Sequence, residues 1–252
     1  MVRLIMHGCN GKMGQVITKI VKEDPSVEIV AGIDAYLGIS NEYPVFDNIE
    51  KCDIEADAVI DFSNAVAVDG LLAYCVERKV PVVLCTTGLS EEQLQRVKEA
   101  SEKVAVLKSA NMSLGVNLLL KLLQDVAKAL APAGFDIEIV EKHHNQKVDA
   151  PSGTALALAD SINDAMDYAY VYNYDRSQVR QKRDKMEIGI AAVRGGTIVG
   201  EHEVIFAGED EVIEFKHTAH SKAVFAKGAV EAGKFLKGKK PGLYDMKQVI
   251  QF

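Results

Sequence analysis

Near the N-terminus, Gly8-Cys9-Asn10-Gly11-Lys12-Met13-Gly14 stands between an apolar run and an amphipathic one, and few folds place such a loop there. The run before it, Val2-Arg3-Leu4-Ile5-Met6, predicts a strand buried on both faces of a parallel sheet. After it, Met13, Val16, Ile17, Ile20 and Val21 recur at helical spacing, and Asp24-Pro25 closes the helix. Val27–Ile33 reads as a second strand, completing a βαβ unit. Glycines in the first βα turn permit a tight bend and close backbone approach to a pyrophosphate. The helix N-terminus offers its unpaired N–H groups to the phosphates. The spacing is G-x-x-G-x-x-G, one residue wider at the first interval than the usual fingerprint. Asp34 follows the second strand, 20 residues after Gly14, where a carboxylate can bond both ribose hydroxyls. A glycine turn by itself merely joins a strand to a helix. Strand, loop, helix, strand and acid in register predict a dinucleotide site. Ala35, rather than arginine, follows Asp34, so no base there awaits a 2′-phosphate and NADH is expected in preference to NADPH. Lys12 is the nearby cation that could accommodate NADPH; read alone it is a solvated first-turn lysine.

The alternation continues. Ala58–Phe62, Pro81–Cys85 and Val104–Leu107 read as strands, with helices around Val68 to Arg78 and from Ser90, an N-cap with Gln93 in the capping-box position. This is the pattern of an α/β fold with a Rossmann-type, doubly wound parallel sheet. The later chain differs. A helix around Gly115 to Leu130 precedes an alternating strand at Phe135–Val140, and a second helix runs from Thr154 to about Met166. Tyr168 to Lys185 reads as a long polar excursion. Strands follow at Glu187–Val193, Thr197–Ala207 and Glu211–Thr218, the last two joined near Gly208-Glu209-Asp210, and the chain is expected to be helical again from about Ser221. Clustered strands of this kind predict a second, α+β domain with an open mixed sheet.

Composition narrows the function. With 252 residues, the chain is long enough for two moderate domains. A net charge of −7 disfavours a general nucleic-acid or anionic-membrane surface, though not a local basic pocket for an acidic metabolite. Cys9, Cys52, Cys75 and Cys85 form no C-x-x-C pair, which suits a reducing cytosol and predicts neither a zinc site nor a disulfide framework. Gly8 and Gly11 interrupt the N-terminal apolar run well short of the ~18–20 residues of a spanning helix, so neither signal peptide nor membrane span is expected and the location is expected to be cytoplasmic.

The second informative stretch is Glu141-Lys142-His143-His144-Asn145-Gln146-Lys147-Val148-Asp149-Ala150-Pro151-Ser152-Gly153-Thr154. It lies between a strand and a helix. Two histidines and a lysine within five residues could receive a polyanionic substrate and supply a proton near neutral pH. The helix start at Ser152-Gly153-Thr154 could hold a carboxylate. Each part has a plainer reading: paired histidines can ligate a metal, Pro151-Ser152 can simply start a helix, and Lys147 can be a surface charge. No H-E-x-x-H spacing supports the metal, and none is expected.

This segment closely resembles the E-x-H-H-x-x-K-x-D-x-P-S-G-T-A motif of the dihydrodipicolinate reductases, also called 4-hydroxy-tetrahydrodipicolinate reductases. Gly8 to Gly14, Asp61-Phe62-Ser63, Thr86-Thr87-Gly88 and Ser109 to Asn117 are similar to further family segments in the same order. Arg194-Gly195-Gly196, Gly200-Glu201-His202 and Gly242-Leu243-Tyr244-Asp245-Met246 continue the match. The resemblance implies hydride transfer from NADH or NADPH to C4 of a cyclic unsaturated dicarboxylate, in lysine and diaminopimelate synthesis. It implies His143 as proton donor, Lys147 as second acid and carboxylate partner, and His144, Gly153 and Thr154 as substrate ligands. It places Gly8, Cys9, Asn10, Gly11, Lys12, Met13, Asp34, Cys85, Thr86, Thr87, Ser109, Ala110, Asn111 and Met112 along the cofactor. It also implies a dinucleotide-binding domain of residues 1–113 and 222–252, a substrate-binding and oligomerisation domain of 114–221, domain closure over the ligands, and a homotetramer. Three positions depart from the family pattern: Gln146 replaces a frequent histidine, Lys222 a usual arginine, and Cys85 a common glycine. Two other readings stay open: a different NAD(P)-dependent dehydrogenase of an aspartate-like acid, and a non-catalytic dinucleotide-binding redox sensor. The first leaves the His143-to-Thr154 segment without a reason; the second predicts cofactor binding without turnover and function insensitive to His143 and Lys147.

Overall fold

The computed structural model describes residues 1–177 and 180–250. The chain divides into two compact units, one of residues 1–114 and 223–252, the other of 115–222. Of the Tyr168–Lys185 excursion, residues 178 and 179 lie outside the described set.

In unit 1 the strands are β1 (Val2–His7), β2 (Val27–Ile33), β3 (Val45–Phe46), β4 (Ala58–Asp61), β5 (Val82–Leu84), β6 (Ala105–Leu107) and, after the second unit, β12 (Gly242–Tyr244). They form one sheet in the order β12-β6-β5-β4-β1-β2-β3, with every neighbouring pair parallel. Successive side chains of a strand point to opposite faces, so a sheet covered on both sides needs apolar residues at every position. Leu4, Met6, Ala58, Ile60, Val83, Ala105 and Leu107 pack on one face against α1 (Lys12–Lys22) and α6 (Ala223–Leu236). The interleaved Ile5, Val59, Val82, Leu84 and Val106 pack on the other, against α2 (Val68–Arg78) and α3 (Glu91–Ser101). Ser90 and Gln93 close the expected capping box on α3. The C-terminal stretch is less uniformly helical than its sequence suggests. After α6 the chain adds β12 to the sheet beside β6, and only then forms the short α7 (Met246–Val249).

Unit 2 contains α4 (Leu114–Leu130, whose first residue belongs to unit 1), β7 (Asp136–His143), α5 (Gly153–Ala165), β8 (Val171–Asn173), β9 (Glu187–Arg194), β10 (Gly200–Ala207) and β11 (Val212–Ala219). The sheet order is β11-β10-β7-β9-β8; the β10–β11 and β10–β7 pairs are antiparallel, and the β7–β9 and β8–β9 pairs are parallel. It is the open mixed sheet expected, with one strand, β8, arising inside the polar excursion. Two arginines hold that excursion down: Arg183 donates to Asp136 (2.9 Å) and Glu138 (2.8 Å), and Arg176 to Glu138 (2.7 Å). One face of the sheet carries the core. Ile137, Ile139, Ile188, Ile190, Val204 and Phe206 meet Leu120, Leu123, Leu158 and Ile162 from α4 and α5. Fully burying each such side chain contributes about 1.5–3 kcal/mol.

Candidate functional site

In unit 1 the site is built by close backbone approach. Gly8 has φ +82°, and a Cβ there would lie 2.6 Å from the Phe62 carbonyl oxygen. A Cβ on Gly14 would lie 2.2 Å from the Gly8 carbonyl oxygen, so the first turn of α1 can touch the loop only because that side chain is absent. Gly11 occupies the N-cap, and no acidic residue stands in the first turn, so neither competes for its N–H groups. The Asp34 carboxylate accepts from the backbone N–H of Asn10 (2.9 Å) and of Tyr36 (2.9 Å), which fixes it at the rim of the loop. The Asn10 carboxamide donates to the Tyr36 carbonyl (2.5 Å) and accepts from Asn41 (2.8 Å), tying the segment after Asp34 to the glycine loop. A 490 Å³ cleft opens at the C-terminal ends of β1, β2 and β4, lined by Gly8, Gly11, Asp34, Ser63 and Asn64 among others. That is where open parallel sheets bind their ligands.

Other predicted cofactor residues take varied places. The Cys9 side chain is buried in the core, its Sγ donating to Asn10 Oδ1 (3.6 Å), and burial, with Asp34 nearby, pushes its thiol up to about 11. Lys12 is exposed at the start of α1, while Met13 packs against the core. At the end of β5, the Cys85 N–H donates to the Asp61 carbonyl (3.0 Å), Thr86 is buried, and Thr87 is exposed. Between β6 and α4, Ser109 is half-buried, Ala110 is exposed, the Asn111 side chain accepts from the Ser113 N–H (2.8 Å), and Met112 is buried. Sequence reasoning gave no role to His7 and Asp61. They are cross-strand partners at the ends of β1 and β4, with His7 Nδ1 2.7 Å from the Asp61 carboxylate. Burial works to raise the Asp61 pKa, but His7, Ser63 and Thr86 outweigh it and hold it below the usual range.

In unit 2 the site continues the core rows of the sheet. Ile137 and Ile139 of β7 lead, with the same parity, to Glu141 and His143; Ile188 and Ile190 of β9 lead to Arg194; Phe206 and Val204 of β10 lead back to His202. The apolar stripe thus turns ionic at the end of the sheet where α5 begins. Glu141 has no exposed surface. Its carboxylate receives both terminal nitrogens of Arg194 (2.8 and 2.7 Å), the Ser152 N–H (3.0 Å) and His143 Nδ1 (2.6 Å). Burial works to raise the Glu141 pKa, while Arg194, His143 and Ser152 together hold it lower, so it is an anion. The Ser152 hydroxyl caps α5 by accepting from the Ala155 N–H (3.2 Å) and lies 3.0 Å from His202 Nε2. His202 meets His143 edge-on, with ring centroids 5.0 Å apart. Burial and the neighbouring His143 push His202 down to about 4.

The remaining predicted residues of this unit lie just beyond the row. Lys147 is part-buried, its ammonium 2.8 Å from the Asp149 carboxylate, and its N–H donates to the His144 carbonyl (3.1 Å). Gly153 is exposed as the first residue of α5, and Thr154 is half-buried beside it. Glu141, Arg194 and His202 carried no individual role in the sequence reading, and Ser152 entered it only as part of the helix start. The signal that could have found them is parity: each lies an even number of residues from an apolar core position on its own strand, or caps the helix at that end. Among the described residues no group of three or more His, Cys, Asp or Glu side chains is disposed to hold a metal ion, and no helix is long and apolar enough to cross a membrane.

Residues 2–112 match the family "Dihydrodipicolinate reductase, N-terminus", and residues 115–250 match "Dihydrodipicolinate reductase, C-terminus". The chain belongs to the dihydrodipicolinate reductase family. Within that family it is 53% identical, over 251 residues, to the 4-hydroxy-tetrahydrodipicolinate reductase of Caldanaerobacter subterraneus subsp. tengcongensis, covering 100% of this chain and 99% of the relative. It is also 53% identical to the enzyme of the same name from Clostridium novyi, with the same coverage. Its fold is similar to the dipicolinate-bound dihydrodipicolinate reductase from Paenisporosarcina sp. TG-14, with a TM-score of 0.83 and 26% identity over 99% of this chain and 100% of that one. A probable dehydrogenase from Thermotoga maritima shares the fold alone, with a TM-score of 0.61 and 12% identity over 98% of this chain and 92% of that one. These reductase matches favour neither an unrelated dehydrogenase nor a non-catalytic sensor.

Proposed function

We infer that the protein is an NAD(P)H-dependent oxidoreductase that converts 4-hydroxy-tetrahydrodipicolinate, through dihydrodipicolinate, to tetrahydrodipicolinate in lysine and diaminopimelate biosynthesis. The observation that carries this reading is the buried Glu141–His143 pair at the head of the cationic segment, in a chain matched to the family over both units. The 4-hydroxyl leaves as water to give dihydrodipicolinate; a bound nicotinamide cofactor would supply a hydride to C4 of the ring, and one proton would complete the addition of two hydrogens to the conjugated system. His143 is assigned as the donor of that proton and Lys147 as a second acid and carboxylate partner. His144, Gly153 and Thr154 bind the substrate carboxylates at the start of α5, whose first turn carries no acidic residue. Unit 1 holds the dinucleotide through Gly8 to Met13, Asp34, Cys85 to Thr87 and Ser109 to Met112. The close backbone packing at Gly8 and Gly14, with Gly11 bare at the N-cap of α1, supports a pyrophosphate at this loop.

NADH is the preferred cofactor in this reading, because the fixed Asp34 carboxylate would face a 2′-phosphate with like charge, and Ala35, not a base, follows it. The enzyme acts in the cytoplasm as a homotetramer assembled on the sheet face of unit 2 opposite α4 and α5. Exposed Ala191 and Val193 on that face support this, and light scattering after size exclusion tests it. The reaction is tested by making the substrate in situ from pyruvate and aspartate semialdehyde with a synthase, then following NADH and NADPH oxidation separately. Synthase-dependent oxidation, faster with NADH, is expected. Its absence with both cofactors, from protein that binds one of them, refutes the reading. His143→Gln is expected to lower turnover by a factor of order 10²–10⁴ with cofactor binding intact.

A further inference from the structure

We infer that Glu141 and Arg194 form a positioning pair that selects which nitrogen of His143 delivers the proton. The inference rests on the assignment of His143 as proton donor. A histidine held at one ring nitrogen by a carboxylate acts through the other. Here Glu141 holds Nδ1 at 2.6 Å, which leaves Nε2 as the acting nitrogen. Space is kept open at that nitrogen: a side chain on Gly200 would begin 3.0 Å from His143 Nε2. Glu141 is itself held, because the Arg194 fork takes both its oxygens and the Ser152 N–H adds a third bond. The same guanidinium donates to the Asp149 carbonyl (2.6 Å), and so pins the turn that carries Lys147. One arginine therefore fixes the proposed donor through Glu141 and the second cation through the backbone.

Stability alone is a weak reason for this arrangement, since an apolar pair of similar volume commonly serves a core at least as well as a buried ion pair. The other buried histidine of the site shows the contrast. His202 meets a hydroxyl, not a carboxylate, at the nitrogen it turns to Ser152.

The test compares Glu141→Gln, Arg194→Lys and His143→Gln in the coupled assay, with NADH binding read by fluorescence and imidazole protonation read by ¹⁵N spectra of histidine-labelled protein. Glu141→Gln keeps size and removes charge. It is expected to lower kcat about 10²-fold, to leave the NADH Kd and substrate KM within about threefold, and to change the ¹⁵N pattern of His143. Arg194→Lys keeps charge and loses the fork, and is expected to lower kcat about tenfold. Folded Glu141→Gln with turnover within about threefold of wild type, or with an unchanged His143 pattern, overturns the pair. If that variant does not fold, wild-type turnover in folded Arg194→Lys overturns it instead. Loss of turnover in His143→Gln with none in Glu141→Gln sinks the positioning pair alone, whereas wild-type turnover in His143→Gln removes the assignment beneath it.

Discussion

At the scale of single residues, two histidines in edge contact have opposite surroundings. His143 is bonded to the Glu141 carboxylate, whereas burial and the neighbouring His143 lower His202 to about 4 from an ordinary 6.5. For His202 the depressed native pKa means that, between those two values, the unfolded chain binds a proton that the native protein resists. Its contribution to stability is therefore complete above about pH 6.5 and is lost as pH falls towards 4, by on the order of 3 kcal/mol. Urea unfolding of wild type and His202→Asn near pH 7 and near pH 4 reads this. The variant is expected to lose less stability on acidification, and identical losses would show that His202 is not the group responsible. Glu141 and Asp61 act in the same direction at lower pH, since each carboxylate is held below its usual range by partners it keeps only when folded.

At the scale of elements, the glycine loop works because α1 starts against it with no side chain between. Gly14→Ala would put a methyl carbon 2.2 Å from the Gly8 carbonyl oxygen, against backbone that cannot swing aside. The expected outcome is a loss of about 1–3 kcal/mol of stability and at least roughly tenfold weaker NADH binding, measured by thermal unfolding and fluorescence titration. Wild-type affinity in that variant would mean that the loop does not hold the dinucleotide. In the second unit the decisive element is the sheet row. Strand periodicity carries Ile137 and Ile139 on to Glu141 and His143, and the register sets His143 opposite Arg194 and Glu141 opposite His202. The row can turn ionic there because the N-terminus of α5 supplies the Ser152 N–H and hydroxyl at the same place.

At the scale of the whole molecule, unit 1 is discontinuous in the chain. Its core face takes Ala226, Ala229, Val230, Ala232 and Leu236 from α6 and Met246 from α7, and its sheet takes β12 as an edge strand. Gly228 brings α6 so close to the Met112 carbonyl that an added Cβ would lie 1.7 Å from that oxygen. A chain ending at Lys222 keeps every residue assigned to the cofactor yet lacks one wall of the core. Such a truncation is expected to lose NADH binding and cooperative unfolding of unit 1. Retention of both would show that the first 114 residues fold without their C-terminal complement.

Local sequence determined what local chemistry could determine. The βαβ start, the glycine loop with Asp34, the strand–helix alternation and the polar segment from Glu141 to Thr154 were legible because periodicity, turn residues and spacing act within a few residues of one another. β12 was not legible, because a three-residue strand near the chain end acquires its meaning only from β6, more than a hundred residues earlier. Nor was the ionic cluster: Glu141 lies 53 residues before Arg194 and farther still from His202, and the three meet only when β7, β9 and β10 pair in register. Tertiary structure decided it, because strand pairing sets which residues share a face, and burial without water then obliges each buried charge on that face to find its partner.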